Sequence, residues 1–291
     1  MRTNGSRHER ARVGPAEKQA RTVFARMNHY LGQLPKDSKR ENVHRFRTNS
    51  RRVETLVSDL APESGNKRKL VKLLSKLRKK AGRLRDLDVQ IAFLKELKVP
   101  DRQNHRAQLL QTLVEEQAHR SKKLGKHFDR EKIRELCRRL ERVESHLALQ
   151  GLDPLRLAMT RLPRPGHMPL SEKTLHAYRI AAKQARYVAE LAQGSPRAEL
   201  FLTELKQAQD EIGQWHDMLK LTQRAAALFG GVHDSPLVSL LENLTRARFK
   251  RAGRALVAAL NAISGLEQPA SRGPKSDASE TAVESAQVAV A

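Results

Sequence analysis

Apolar residues recur every three or four positions along most of the chain, which is the spacing of amphipathic α-helices. No stretch alternates apolar and polar residues convincingly enough to predict a β-strand. Ser38 with Glu41, and Ser171 with Thr174, are placed to cap two of the helix starts. The predicted helices cover residues 16–33, 38–60, 66–98, 102–127, 130–150, 171–193, 197–229 and 234–263. The pattern therefore predicts an all-α fold.

Composition separates a folded region from a polar segment at each end. Residues 1–14 are polar and basic, and residues 266–291 are rich in Ala, Ser, Pro and acids, so we predict both to be disordered. A Pro/Gly-rich stretch, "LPRPGHMP", predicts a linker loop near residues 154–169. The folded region is predicted at residues 15–265, with halves at about 15–128 and 129–265.

One helical segment occurs twice. "VHRFRTNSRRVETLV" (43–57) aligns with "LHAYRIAAKQARYVA" (175–189). In both copies an apolar residue precedes His, and the His is followed by an aromatic residue at +2, Arg at +3 and a base at +7. The matched histidines are His44 and His176, 132 positions apart.

A second pair of segments repeats at almost the same offset. "AGRLRDLDV" (81–89) aligns with "IGQWHDMLK" (212–220), 131 positions later. The matched positions are Gly82 with Gly213 and Asp86 with Asp217. Two motifs at matching offsets indicate that a whole segment is duplicated, so we predict two similar four-helix bundles related by pseudo-twofold symmetry.

The chain is strongly basic. Its 56 Lys and Arg residues outnumber 32 Asp and Glu residues, which gives a formal charge of +24. The segment 266–291 holds more acids than bases, so the positive charge belongs to the rest of the chain. Such an excess points to a polyanionic partner, and RNA, DNA, an anionic membrane and inorganic polyphosphate all fit it.

The bases form stripes along the predicted helices. On a helical wheel, His44, Arg47 and Arg51 lie beside the apolar stripe of their helix, whereas Arg52 lies well off it. The second copy places His176, Arg179, Lys183 and Arg186 together, and a third stripe contains Lys69, Lys72, Lys76, Lys80 and Arg83. Almost no acid interrupts the stripes, so ion pairs within a helix do not explain them. We interpret them as the lining of an anion site rather than as solvated faces.

The repeated motifs resemble a known family, the CHAD domain (conserved histidine α-helical domain). The likeness is carried by "VHRFRTNSRR", "GRLRDLDV", "LHAYRIAAKQARY" and "LKQAQDEIGQWHD", and it spans roughly residues 16–264. The resemblance implies two four-helix bundles that face each other across a basic cleft or channel. It also implies binding of inorganic polyphosphate without established catalysis, and no companion triphosphate-tunnel domain is evident, so we expect a stand-alone module.

Carried over by position, the resemblance implies a set of polyphosphate ligands in each half. They are His44, Arg47, Arg51 and Arg52 in the first half, and His176, Arg179, Lys183 and Arg186 in the second. From the third stripe we add Lys76, Lys80 and Arg83 as candidates. The halves differ in two places, because Glu54 stands where the second copy has Arg186, and Gln184 stands where the first has Arg52.

Nucleic-acid binding is the main alternative function. Bases of single-stranded RNA or DNA stack on aromatic side chains, and Trp215, Tyr30, Tyr178 and Tyr187 are the only Trp and Tyr residues in the chain. No zinc-finger or RNA-recognition signature is present. The sequence therefore favours polyphosphate over nucleic acid.

An enzyme that processes phosphate polymers is the third alternative. Glu116 and His119 have the spacing of half a di-iron carboxylate site, but no second half occurs. Asp86 and Asp88 pair only loosely and are interpreted as structural, and Cys137 as an inert core residue. We therefore expect no catalysis, no metal and no cofactor.

The ends and the single cysteine bear on location. No apolar signal segment opens the sequence, no run of apolar residues is long enough to span a membrane, and the lone cysteine allows no internal disulfide. We expect a cytoplasmic protein without membrane insertion, with polyphosphate granules as a candidate location.

Overall fold

The computed structural model describes residues 14–34, 40–98, 102–126, 128–163 and 170–267. These residues form helices and connecting turns and no strand, so the predicted all-α class is confirmed. The helices are α1 (Pro15–Gln33), α2 (Arg40–Leu60), α3 (Gly65–Glu96), α4 (His105–Gly125), α5 (Arg130–Glu144), α6 (Pro154–Thr160), α7 (Glu172–Ala189), α8 (Pro196–Phe229) and α9 (Pro236–Glu267). A single turn of 3₁₀ helix, Glu190–Ala192, follows α7.

Side chains at several helix starts satisfy backbone N–H groups that have no partner within the helix. Ser64 accepts such a bond at the start of α3 (3.1 Å), and Asp129 does so at the start of α5 (2.8 Å). Ser171 and Thr174 bond to each other's backbone N–H at the start of α7, which confirms the cap predicted there. The other predicted cap, Ser38, lies outside the described residues.

The structure differs from the sequence reading between α5 and α7. Residues 154–160, which were predicted as part of a linker loop, form α6, with Asp153 as its N-cap and Leu155 and Ala158 buried beneath it. Helix α5 ends at Glu144, six residues before the predicted end. The predicted arm and tail, residues 1–14 and 266–291, lie almost entirely outside the described residues.

Helices pack in the same order in both halves. In the first half α1 packs on α2, α2 on α3, and α3 on α4, and in the second half α6 packs on α7, α7 on α8, and α8 on α9. The halves meet where α2 packs on α7 and α3 on α8, which are equivalent helices in the repeat. Helix α5 packs on α1 and α3, so its packing does not follow the predicted division at residue 128.

The apolar cores show how the halves are joined. One core is built from α1, α2, α5 and the first part of α3, and two clusters fill the space among α6, α7, α8 and α9. A further core is shared, because it combines the ends of α3 and α8 with α4 and α9. The shared core contains Leu87, Ile91, Leu94, Leu109, Leu113, Met218, Leu221, Ala225, Leu237, Val238 and Leu241.

Both α3 and α8 therefore take part in two cores. In α3, residues 70–84 belong to the first half's own core and residues 87–94 to the shared core. In α8, residues 198–215 belong to the second half and residues 218–225 to the shared core. The repeated Gly-x-x-x-Asp elements lie at these transitions, where each long helix passes from its own half to the junction.

Ion pairs also tie the halves together. Glu116 of α4 accepts from Arg224 of α8 at 2.5 Å, and Asp59 of α2 pairs with Arg161, which follows α6. No helix in the part of the chain that the structure describes is both long and apolar enough to cross a lipid bilayer.

The shared core predicts that the two halves unfold together. Leu87 is fully buried in α3, and Leu87→Ala should lower the free energy of unfolding by about 2–5 kcal/mol because it leaves a cavity. Trp215, in the second half, should report the same lowered midpoint in fluorescence as far-UV circular dichroism does. Leu200→Ala is the control because Leu200 is 57% exposed. An unchanged Trp215 transition in Leu87→Ala would contradict a shared core.

Candidate anion-binding site

Four basic residues converge where α2 packs against α7. Arg47 and Arg51 of α2 lie within electrostatic range of Arg179 and Lys183 of α7. We call these four residues the central cluster. They occupy matched positions in the two sequence repeats, and the structure brings both pairs together at the contact between the halves.

Arg47 packs closely against α3. A Cβ atom at Gly82 would lie 3.3 Å from Arg47 Nε, so the glycine provides the room that this side chain occupies. One turn further along α3, Asp86 accepts from Arg47 Nη2 at 3.4 Å. The four-residue spacing thus lets the Arg47 side chain pack on Gly82 while its guanidinium group donates to Asp86. Arg47 Nε is buried and has no hydrogen-bond partner among the described residues.

The environment of Arg179 in the second half resembles that of Arg47 in part. Asp217 is the repeat equivalent of Asp86, and Arg179 is the positive charge that acts on it most strongly. Burial raises the pKa of the Asp217 carboxyl, and the charge of Arg179 offsets only part of that rise. Arg179 Nε is likewise buried, and nothing in the described chain accepts a hydrogen bond from it. A Cβ at Gly213 would meet no atom within 4 Å, so the structure does not explain this glycine.

Lys183 is the most perturbed base of the central cluster. Burial, and then the charges of Arg179, Arg51 and Arg47, lower its pKa to about 6. Burial and the neighbouring charge of Arg51 lower the pKa of Arg47 to about 10, so Arg47 stays charged at neutral pH. An unliganded site therefore holds Lys183 mostly neutral at pH 7, and an added anion would favour its protonation.

The two motif histidines lie beside the central cluster on exposed positions. The His176 ring centroid lies 5.5 Å from that of His216, whose pKa burial and Arg179 lower to about 3. His44 has Arg85 as its counterpart neighbour, and partial burial and the charge of Arg85 lower the pKa of His44. Both histidines can donate to an anion through a ring N–H when neutral.

Arg52 and Arg186 have a different environment from the central cluster. Arg52 donates to both carboxylate oxygens of Glu190, at 2.6 Å from Nε and 3.0 Å from Nη2, and lies over the ring of Tyr187. Arg186 Nε donates to the same carboxylate at 3.2 Å. Their charge is therefore shared with Glu190, and polyphosphate binding through these two arginines stays a prediction.

The third stripe is not brought into the central cluster. Desolvation, and then the charges of Lys76, Lys132 and Arg83, lower the pKa of Lys80, so these bases are neighbours. Lys132 belongs to α5, and the stripe follows a different side of α3 from the one where Gly82 contacts Arg47. A role of Lys76, Lys80 and Arg83 in the same site stays a prediction.

Two further bases lie close to the motif residues and were absent from the predicted ligand set. Arg85 is a neighbour of His44, and Lys220 is a neighbour of His216. Arg85 could have been found, because it occupies the position in the α3 motif that His216 occupies in the α8 motif. Lys220 carries no such signal, since its repeat equivalent is the apolar Val89.

Comparison with known proteins gives the family. A family model described as the CHAD domain matches residues 18–226. The chain belongs to the CHAD domain family. This finding confirms the resemblance that the repeated motifs carry. Comparison with curated proteins yields no match.

Two solved structures share the CHAD fold of this chain. The crystal structure of the CHAD domain from the plant Ricinus communis matches with a TM-score of 0.56 and 19% identity, over 87% of this chain and 90% of that one. PptA from Streptomyces chartreusis matches with a TM-score of 0.52 and 12% identity, over 87% of this chain and 97% of that one. At these sequence identities, the comparison shows similarity of fold alone.

The acidic residues considered for metal chemistry are engaged with bases and amides. Glu116 pairs with Arg120 and Arg224, and the buried Asp88 accepts from Gln117 and pairs with Arg40. Within the described ranges, no group of three or more His, Cys, Asp or Glu side chains is placed to hold a metal ion.

The lowered pKa of Lys183 predicts how stability depends on pH. Its pKa is about 6 in the folded protein and near 10.4 in an unfolded chain, so the unfolded state binds more protons between these values. The unliganded protein should therefore gain stability as pH rises from about 6.5 to 8.5, by up to about 1.4 kcal/mol per pH unit from this group.

Lys183→Met removes this contribution while keeping a long side chain. In urea unfolding at pH 6.5, 7.5 and 8.5, the substitution should raise the free energy of unfolding most at pH 6.5 and least at pH 8.5. Parallel stability curves for the two proteins would show that Lys183 titrates normally in the folded state.

Proposed function

We propose that this protein binds inorganic polyphosphate at the central cluster. The observation that carries the proposal is the convergence of Arg47 and Arg179, whose buried Nε atoms have no partner within the described chain. Buried guanidinium groups of like charge cost free energy unless an anion accepts their hydrogen bonds. A phosphate chain threaded between α2 and α7 would supply those acceptors.

The composition of the site suits a phosphate polymer. Arg47, Arg51 and Arg179 can each give two parallel hydrogen bonds to phosphate oxygens, and Lys183 adds a point charge. Phosphates of polyphosphate repeat along a flexible chain without bases, so a receptor needs cations at regular spacing and no stacking surface. The family resemblance supports the same ligand.

The aromatic residues favour this ligand over nucleic acid. Trp215 is only 1% exposed, and Tyr187 is buried against Arg52, so neither offers a face for a nucleobase. Tyr178 donates from its hydroxyl to the backbone oxygen of Pro163. Binding through phosphates alone is therefore the interaction that these side chains support.

We propose binding without turnover. Asp86 and Asp217, the carboxylates at the central cluster, lie against Arg47 and Arg179 rather than in a group suited to Mg²⁺. Retention of polyphosphate, including at polyphosphate granules, is then the role that this site could serve in a cell.

A binding titration with polyphosphates of defined length tests the proposal. We expect Arg47→Ala/Arg179→Ala to weaken binding by about tenfold or more, since charged hydrogen bonds contribute roughly 1.5–3 kcal/mol each. The affinity of the wild-type protein should fall steeply between 50 and 200 mM salt as counterions are released. Phosphate release measured with Mg²⁺ present should stay at background.

The matched control is Arg134→Ala/Arg254→Ala, which removes the same charge from exposed positions on α5 and α9. It should bind almost as the wild type does. Equal losses in both double variants would mean that net charge, not the central cluster, binds the polymer. Displacement of polyphosphate by RNA at equal phosphate concentration would favour the nucleic-acid function instead.

A further inference from the structure

A cavity lies between the two halves, beside Arg52 and Arg186. Its volume is about 430 Å³, and its walls come from α1, α2, α7, α8 and the 3₁₀ turn. This volume falls within the range of small-molecule sites. We call it the lateral pocket.

The lateral pocket contains the two arginines at which the sequence repeats differ. Arg52 replaces the Gln184 of the other copy, and Arg186 replaces Glu54. Glu54 is held by Arg78 of α3, with both oxygens at 2.9 Å from Arg78 Nε. These two departures from the repeat place Arg52 and Arg186 around Glu190, where the two halves meet. The equivalent positions in the other copy, Gln184 and Glu54, carry no positive charge.

The charged groups that line the lateral pocket differ in exposure. At its inner wall, Glu190 binds Arg52 and Arg186 and fixes both guanidinium groups in place. Arg26 of α1 and Lys206 of α8 also line the cavity and are exposed, and Lys206 pairs with Asp210 one turn along α8 at 3.3 Å. Because Arg26 is exposed at the cavity, its guanidinium group can pair with an anion there.

The remaining walls offer hydrogen bonds to neutral groups. Gln19 and Gln193 present carboxamides, Glu199 presents a carboxylate, and Thr203 presents a hydroxyl. Carboxamides and carboxylates accept hydrogen bonds from hydroxyl groups, whereas a polyphosphate chain carries none to donate along its length. The lining therefore differs in kind from the purely basic central cluster.

We propose that the lateral pocket binds a small phosphorylated sugar. Arg26 and Lys206 would hold the phosphate, and Glu190, Glu199 and the two glutamines would receive the sugar hydroxyls. The cavity is large enough for one such molecule. The proposal is independent of polyphosphate binding, because the central cluster contributes no residue to this pocket.

Calorimetric titration with ribose 5-phosphate at 0.15 M salt tests the proposal. Separate titrations with ribose and with inorganic phosphate are the ligand controls. Ribose 5-phosphate should bind at least about tenfold more tightly than either part. Arg26→Ala/Lys206→Ala, two exposed positions whose loss leaves the Arg52–Glu190 pair intact, should abolish most of this binding. Thr203→Trp, which fills the cavity without changing charge, should also abolish it.

The control variants separate this pocket from the central cluster. Arg47→Ala/Arg179→Ala and Arg134→Ala/Arg254→Ala should both bind ribose 5-phosphate as the wild type does. Loss of binding in the central-cluster variant would overturn the proposal, and so would inorganic phosphate binding as tightly as ribose 5-phosphate. Undiminished binding by Thr203→Trp would place the probe elsewhere and overturn it as well.

Discussion

Repulsion among Arg47, Arg51, Arg179 and Lys183 is the constraint on which the rest of the site depends. Four bases meet where α2 packs on α7, and the carboxylates close to them are Asp86 and Asp217, beside the two buried arginines, and Glu54, within electrostatic range of Arg51. Helix packing must hold them together, and it does so through apolar cores on both sides of the contact and through a core that both halves share. Helix packing thus fixes the positions of the four bases, which would reduce the ordering cost of binding an anion there.

The two halves meet this constraint differently. In the first half, Arg47 lies over Gly82 and donates to Asp86, and the base at the next turn of α2 is Arg51. In the second half the corresponding base is Lys183, which loses its proton near pH 6. A lysine relieves part of the repulsion by deprotonation, which an arginine does not. The unliganded site is therefore less positive than its sequence indicates, and an anion would restore the missing charge.

Sequence periodicity predicted much of this arrangement because the information is local. The helical wheel separated His44, Arg47 and Arg51 from Arg52, and the repeat matched Arg47 with Arg179 before any contact was known. Sequence periodicity did not predict contacts between residues that are far apart in the chain. The partner of Arg52, Glu190, lies 138 residues away, and which side of α3 faces α2 depends on how the helices pack. Helix α6 was missed because Pro154 and the Pro/Gly-rich stretch after it resemble a loop, whereas Pro154 occupies the first turn of the helix.

Proton uptake on binding tests the central claim most directly, because it reports contact between the polymer and Lys183. Calorimetric titration of polyphosphate at pH 8, in two buffers of different ionisation enthalpy, gives the number of protons taken up. The account predicts that the wild type takes up about one proton more than Lys183→Met, since the bound phosphates return Lys183 to its charged form. Equal proton uptake by the two proteins would contradict it, because the polymer would then bind away from the contact between α2 and α7.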